Sequence, residues 1–279
     1  MGEKKLGSGS QYVLGSNAEE LARLDQQAAV IERPTRMILQ AAGLATGMRV
    51  LDLGCGLGHV SALAGQLVGP TGSVLGLDQS ADALAVARDR AEQAASTNVH
   101  FIEGDAVAWR TSEPFDAILG RLLLFHLADP AAVVRHHLSN LRPGGMFVAI
   151  DFDLGGSRTE PPVALADEVL RWVEQAFRAA GASPHIGARL GLLLGEAGCE
   201  RVATFGIQAY LAPLDRSGPA LLAGVARSLA PAIIGHGIAT AEQLDAATLE
   251  HRIAQALRQH HAVILPPTVV GAWGYSPRT

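Results

Sequence analysis

Cysteine, aromatic residues and long apolar runs are what this chain of 279 residues has least of. Two cysteines, Cys55 and Cys199, supply neither a disulfide framework nor a cysteine-based zinc site, since either needs several thiols at defined spacing. Aromatic residues make up only 5% of the chain, no Lys/Arg cluster is interleaved with them, and the formal net charge is −5. That combination lacks the basic footprint that nucleic acid selects. No apolar run reaches the roughly 18–20 residues a bilayer span needs. The longest candidate, Ala117 to Leu127, is interrupted by Arg121 and His126. Met1-Gly2-Glu3-Lys4-Lys5 carries charge without the apolar stretch of a secretory signal. The paired histidines His136-His137 and His260-His261 project in different directions and lack metal-site spacing, so no metal is expected. These absences point to a cytoplasmic chain that engages neither nucleic acid nor membrane. Its length suits one large domain or two small ones, at about 100–200 residues per domain.

What the chain has is glycine, 31 residues of it, and three fall at alternate positions in Val50-Leu51-Asp52-Leu53-Gly54-Cys55-Gly56-Leu57-Gly58-His59. A short apolar run enters this loop, and an apolar, helix-compatible stretch from Val60 to Leu67 leaves it. A buried strand feeding a glycine turn and then a helix is the arrangement of nucleotide-type ligand sites. Glycine lets the backbone approach a bulky ligand, and the helix N-terminus offers free N–H groups. Val74-Leu75-Gly76-Leu77-Asp78 then reads as a second strand with a carboxylate at its tip, suited to both hydroxyls of a ribose.

The alternation continues. Gly69-Pro70-Thr71-Gly72 is a turn, Ser80 can cap a helix to about Ala95, and Val99–Ile102 and Phe115–Leu119 read as strands. Asp129 reads as an N-cap with Pro130 at the first helical position. Leu141-Arg142-Pro143-Gly144-Gly145 reads as a turn before a strand at Met146–Ile150. Strand, helix, strand repeated this way means a parallel sheet with right-handed crossovers. Asp78, Asp105, Asp151 and Asp153 then share the sheet edge where ligands bind in open α/β folds. Further helices are expected at Val163–Ala180 and Gly187–Ala197, and strands at Val202–Leu211 and Thr268–Trp273. Residues 212–265 lie between those strands and suggest two or three helices, one opened by the capping box Thr240/Gln243. At the other end, residues 1–10 read as a flexible tail. A capping box at Ser16/Glu19 opens a helix to about Arg33, which Pro34 breaks or kinks before a second helix at Thr35–Ala42.

Asp52-Leu53-Gly54-Cys55-Gly56-Leu57-Gly58 followed by Gly76-Leu77-Asp78 resembles the first two motifs of class I S-adenosylmethionine-dependent methyltransferases, of the small-molecule, ubiquinone/menaquinone type. Leu141-Arg142-Pro143-Gly144-Gly145 and the His126-Leu127 and Asp129-Pro130 pairs extend the likeness. The resemblance implies a doubly wound, mostly parallel seven-stranded sheet with helices on both faces. It divides the chain into a tail at 1–10, an N-terminal helical cap at 11–46 and a methyltransferase domain at 47–279, with a helical lid inserted at about 212–265. It also implies S-adenosyl-L-methionine as cofactor and S-adenosyl-L-homocysteine as product. Asp52 would serve the methionine ammonium, with Gly54, Cys55, Gly56 and Gly58 forming the loop beneath the cofactor. Asp78 and Gln79 would meet the ribose, and Gly104, Asp105 and Ala106 the adenine. The carbonyls of Gly120 or Arg121 would meet the methionine amino group. Tyr12 and Gln27 would touch the cofactor from the cap.

Methyl transfer from a sulfonium is an in-line displacement, so alignment and exclusion of water do most of the work and a catalytic side chain is optional. His126 is the candidate base if one is used, because its ordinary pKa lies near neutrality. His236 is a second histidine that could face a pocket. The expected partner is a small, largely apolar metabolite methylated on O, N or C, and a homodimer is the assembly left open. Two alternatives stand beside this. One is the same cofactor-binding fold with methyl transfer lost or replaced. The other is a nicotinamide-dependent oxidoreductase, which His59 disfavours by occupying the third glycine of Gly-x-Gly-x-x-Gly, as does the lack of a Tyr-x-x-x-Lys pair.

Overall fold

A computed structural model describes residues 18–278 of the chain. Tyr12, Ser16 and the tail at 1–10 lie outside the described residues, as does the side chain of Gln27. Seven strands form one sheet: β1 (Arg49–Leu53), β2 (Ser73–Asp78), β3 (Val99–Glu103), β4 (Phe115–Arg121), β5 (Leu141–Asp153), β7 (Glu200–Ile207) and β9 (Thr268–Tyr275). Their spatial order is β3-β2-β1-β4-β5-β9-β7. The pairs from β3 through β5 are parallel, and β9 runs antiparallel between β5 and β7. The doubly wound, mostly parallel seven-stranded sheet is as expected.

The crossovers are α2 (His59–Val68), α3 (Ala81–Gln93) and α4 (Pro130–Leu138). Ser80 caps α3 by accepting from the Ala83 N–H, and Asp129 caps α4 by accepting from the Ala132 N–H. Strand residues point alternately to opposite faces, so β1 feeds two cores. Val50 joins Ile31, Ile38, Leu39, Leu63 and Val148 beneath α1 (Ala18–Ala42) and α2. Leu51 and Leu53 join Ile118, Phe147 and Ala149 on the other face, under α5 (Ala164–Ala179) and α6 (Ile186–Glu196).

Several features depart from expectation. First, α1 continues through Pro34 as a single helix. An interior proline costs about 3 kcal/mol, but Ile31, Ile38 and Leu39 bury almost completely on the same face, each contributing about 1.5–3 kcal/mol. Gly271 on β9 permits this docking, since a Cβ there would lie 2.1 Å from Cγ2 of Ile38. Second, β5 begins at Leu141 and takes in the Arg-Pro-Gly-Gly stretch, with a register shift opposite Phe115 and Ala117. Ser276 holds that stretch, donating its hydroxyl to the Arg142 carbonyl at 2.7 Å. Third, β6 (Arg158–Glu160) and β8 (Val263–Leu265) form a separate two-stranded sheet. Neither strand was legible as such at three residues.

Residues 212–265 hold four helices rather than two or three: α7 (Ser217–Ser228), α8 (Ala230–Gly235), α9 (Ala241–Leu244) and α10 (Leu249–Gln259). The Thr240/Gln243 capping box opens α9. α5 packs against α7, α8 and α10, and α7 also reaches α1. Trp172 is buried there with Leu222, Ala226 and Ile233. It belongs to the core. His236 is exposed just after α8. Among the described residues no helix is long and apolar enough to cross a membrane.

Candidate cofactor site

The glycine loop sits where β1 ends and α2 begins. Gly54, Gly56 and Gly58 all have positive φ, at 63°, 51° and 79°. A Cβ on Gly54 would lie 3.0 Å from Leu123, and one on Gly58 would lie 3.0 Å from both Ala87 and Phe101. A Cβ on Gly56 would meet nothing within 4 Å. The outer two glycines are therefore closely packed, while the middle one faces open space that a ligand can fill.

Asp78 ties this loop to the second strand. Its Oδ2 accepts from the Gly56 N–H at 2.8 Å and its Oδ1 from the Ser80 N–H at 2.9 Å. The Cys55 N–H donates to the Leu77 carbonyl. Burial, with Asp52 and Asp78 nearby, pushes the Cys55 thiol far up, so Cys55 contributes main chain and not a thiolate. Gln79 is exposed beside Asp78.

Asp52 is buried at the β1 tip on the α1/α2 face, and Ser61 of α2 donates to its Oδ2 at 2.6 Å. Burial pushes its pKa up to about 6, against the pull of Ser61 and Arg121. Gly120 pairs with Leu53 at the neighbouring tip of β4, and the partly buried Arg121 follows it. Burial lowers the Arg121 pKa, opposed by the nearby Asp52 and Glu32 carboxylates. The same face opens into a cavity of about 190 Å3 lined by Asp25 and Glu32 of α1, His59 and Leu63 of α2, and Arg121. α1 is clamped over this cavity. Asp25 lies 2.9 Å from His59 Nε2 and accepts from Arg90 at 2.9 Å, while Arg90 also lies 3.0 Å from that same His59 nitrogen. Burial and Arg90 lower the His59 pKa, so the ring is neutral, and one nitrogen can serve only one of these partners at a time.

At the β3 tip the Gly104 N–H donates to the Asp78 carbonyl at 2.9 Å, which joins the two strand ends. Asp105 is exposed. Its Oδ1 accepts from the Val107 N–H, and its carbonyl accepts from Ala108 and Trp109. The pair His136-His137, legible in sequence only as a poor metal site, pins this turn from α4. His137 Nε2 donates to the Ala106 carbonyl at 2.6 Å, and His136 reaches the Trp109 carbonyl at 2.9 Å. Burial holds the His137 pKa down to about 4, so the ring is neutral, with Nδ1 accepting from Asn140 at 3.0 Å. No sequence signal marks carbonyls as the partners of adjacent histidines.

The two acids at the β5 tip part company. Asp153 turns to His185 Nδ1 at 3.2 Å, and Nε2 of the same ring meets Glu174 at 3.0 Å. Asp151 is fully buried and its Oδ2 accepts from the Phe125 N–H at 3.3 Å. Burial raises its pKa well above the carboxylate range. It lies beneath the 3-10 turn Leu124–His126, which carries His126. His126 is partly buried, with its pKa lowered by burial and its ring edge-on to Phe125.

The structure therefore brings Asp52, the three loop glycines, Asp78, Gly104, Gly120 and Arg121 to one edge of the sheet, with the 105–106 turn and His126 beside them. Residues 44–187 match the family model of a methyltransferase domain. The chain belongs to the methyltransferase domain family. Along 144 residues, 51% of its length, this methyltransferase-family chain is 31% identical to the ubiquinone/menaquinone biosynthesis C-methyltransferase of Pseudomonas fluorescens, covering 54% of that protein. It is 34% identical over 107 residues, 38% of its length, to the demethylmenaquinone methyltransferase of Lactococcus lactis, covering 42%. It thus spans about half the length of the curated relatives it matches. Its fold is that of the solved Bacillus halodurans putative methyltransferase, at a TM-score of 0.57 and 20% identity over 87% of this chain and 98% of that one.

Proposed function

We propose that the protein is an S-adenosylmethionine-dependent methyltransferase that acts on an O, N or C atom of a small, largely apolar metabolite. The observation that carries this is the Asp78–Gly56 contact. A carboxylate at the second strand tip holds the one loop glycine that faces open space. That cradle fits a nucleoside whose ribose hydroxyls Asp78 can receive.

When bound, the cofactor supplies the activated methyl group. Asp52 is placed for the ammonium of its amino-acid end, together with the main-chain carbonyls of Gly120 and Arg121. Gln79 stands beside the ribose, and the Gly104-Asp105-Ala106 turn, braced by His137, offers an acceptor and N–H groups to the adenine. Gly54, Cys55 and Gly58 shape the loop beneath it. Tyr12 and Gln27 would complete the cover from the N-terminal side. His126 is the proposed base for an acceptor that must lose a proton, since burial keeps its ring neutral and able to accept. α1 and residues 212–265 are proposed to close over the site and exclude water. The curated relatives, named as C-methyltransferases of quinone biosynthesis or as a demethylmenaquinone methyltransferase, support an apolar acceptor and, among the three atoms, carbon.

Mass spectrometry of the denatured protein, followed by a tritiated-methyl assay against metabolite extracts, tests this. Retained S-adenosylmethionine or S-adenosylhomocysteine with label transferred to a small organic fraction is expected. A retained nicotinamide cofactor would overturn the proposal. Cofactor binding without transfer to any extract would favour replaced chemistry on the same fold. His126→Asn is expected to lower kcat for a proton-losing acceptor while leaving S-adenosylhomocysteine affinity unchanged. Unchanged kcat would remove His126 from the mechanism.

A further inference from the structure

We propose that Asp151 is a positioning residue for His126: its carboxyl, on β5, caps the turn after β4 that presents that ring. The inference rests on the role proposed above for His126 and assigns the group that holds it in place.

The alternation of β5 sets the direction. Phe147 and Ala149 lie in the core under α5 and α6, and Asp151, two residues on, follows them onto that face, where it is fully buried. The turn Leu124–His126 closes with the His126 N–H donating to the Leu123 carbonyl at 3.0 Å and the Leu127 N–H to the Leu124 carbonyl at 3.2 Å. Its opening N–H groups, on Leu124 and Phe125, are the orphan donors that every helical turn leaves. Leu123 stands where a helix end is capped, and its side chain has no oxygen to offer. Leu124 and Phe125 are buried, so bulk water does not serve these donors. Asp151 does. Its Oδ2 accepts from the Phe125 N–H at 3.3 Å, and the N–H groups of Phe125 and Leu124 both pull its pKa down against burial.

That carboxyl serves the turn alone. Among the described residues its Oδ1 has no hydrogen-bond partner. A carboxyl taken wholly out of water is costly, and an apolar side chain would fill the position at lower cost, so its presence is explained by the two donors it caps. The other tethers of the turn are main chain and ring packing. The Leu122 N–H donates to the Ile150 carbonyl at 2.8 Å, and the Ser183 N–H to the Phe125 carbonyl at 3.1 Å. The Phe125 ring meets Phe177 of α5 edge-on at 4.9 Å, and His126 packs edge-on to Phe125 at 5.1 Å. Without the cap, two buried N–H groups must turn toward solvent, and the His126 ring leaves the partly buried place that lowers its pKa.

Proton NMR titration of the histidine rings tests this without cofactor, the His126 signal being the one lost in His126→Asn. In wild type it should titrate below the ordinary 6.5. Asp151→Leu, of similar size but with no acceptor, should move that titration up by about half a pH unit or more as the ring gains water. Asp151→Asn keeps a carbonyl oxygen for the Phe125 N–H and should leave it within about 0.2 of wild type. His137, pinned elsewhere, should not move in either variant. In the tritiated-methyl assay Asp151→Leu should lower the rate of label transfer at least tenfold while S-adenosylhomocysteine affinity by calorimetry stays within threefold. An unmoved His126 titration in folded Asp151→Leu would overturn the inference, as would an unaltered transfer rate. If that variant does not fold, the wild-type Phe125 amide decides: slow exchange supports the cap, and exchange at the rate of an unprotected amide overturns it. If wild type binds no S-adenosylhomocysteine, or His126→Asn transfers label at the wild-type rate, the reading of His126 as a base falls and takes this inference with it. If those hold and only the titration fails to move, the reading stands and Asp151 is a structural acid.

Discussion

Two aspartates, Asp52 and Asp151, are buried at strand tips on opposite faces of one sheet, and their surroundings differ in kind. Asp52 faces α1 and α2, accepts a hydroxyl, lies near Arg121 and has its pKa raised to about 6. Asp151 faces the α5 side, accepts main-chain N–H groups from the 3-10 turn, and has its pKa raised by burial. A carboxyl with a cation and a donor beside it ionises at neutral pH and can receive a ligand ammonium. One with neither a cation nor a side-chain donor is pushed by burial toward its neutral form. Position at the ligand edge of the sheet does not by itself make an acid a ligand residue.

The largest expected effect breaks the cofactor face alone. Gly56→Val should abolish S-adenosylhomocysteine binding by calorimetry while leaving the melting temperature within a few degrees, because the side chain enters open space and only the positive φ strains it. Normal binding by that variant would mean that the loop does not hold the cofactor.

Asp52→Asn sharpens the contrast between the two acids. The folded pKa of about 6 lies above the ordinary 3.8, so folding takes up a proton. Stability is fully present below about pH 4, falls as pH rises to 6, and is level above. That gap amounts to about 3 kcal/mol. Without cofactor, Asp52→Asn should be more stable than wild type by up to about that much at pH 7.5 in urea unfolding, and the advantage should vanish near pH 4. The same variant should bind S-adenosylhomocysteine at least tenfold more weakly. Asp151→Asn should also gain stability at neutral pH, but with cofactor affinity unchanged within about twofold. Equal losses of affinity in both variants would erase the distinction between the two faces.

Asp78→Ala should cost about 1.5–3 kcal/mol of cofactor affinity, the worth of hydrogen bonds to a charged acceptor. An unchanged dissociation constant would free Asp78 of the ribose.

Asp25→Asn should have the smallest effect on stability, below about 1 kcal/mol, because the Asp25–Arg90–His59 clamp is partly exposed. Its signature should be faster amide exchange in α1. In wild type, S-adenosylhomocysteine should slow exchange in both α1 and residues 212–265. Protection confined to the loop at 54–58 would reduce both segments to structural cover.

The strand–loop–helix order, the parallel sheet, the loop glycines and the caps at Ser80, Asp129 and Thr240 were legible in the sequence because each depends on neighbours a few residues away. Apolar alternation, positive-φ turns and N-terminal N–H groups are local demands with local solutions. Other features depend on partners distant in the chain and could not be read. α1 runs through Pro34 because Ile38 finds Gly271, 233 positions later, and burial outweighs the proline. β6 and β8 exist only as a pair. His137 became a brace because folding brought the Ala106 carbonyl to it, and Trp172 was drawn into the core by helices of the 212–265 segment. The sequence alone determined which acids reach the ligand edge. Only the tertiary structure decided which of them is kept ionisable, because a buried carboxyl takes its charge state from the dipoles and cations that packing sets around it.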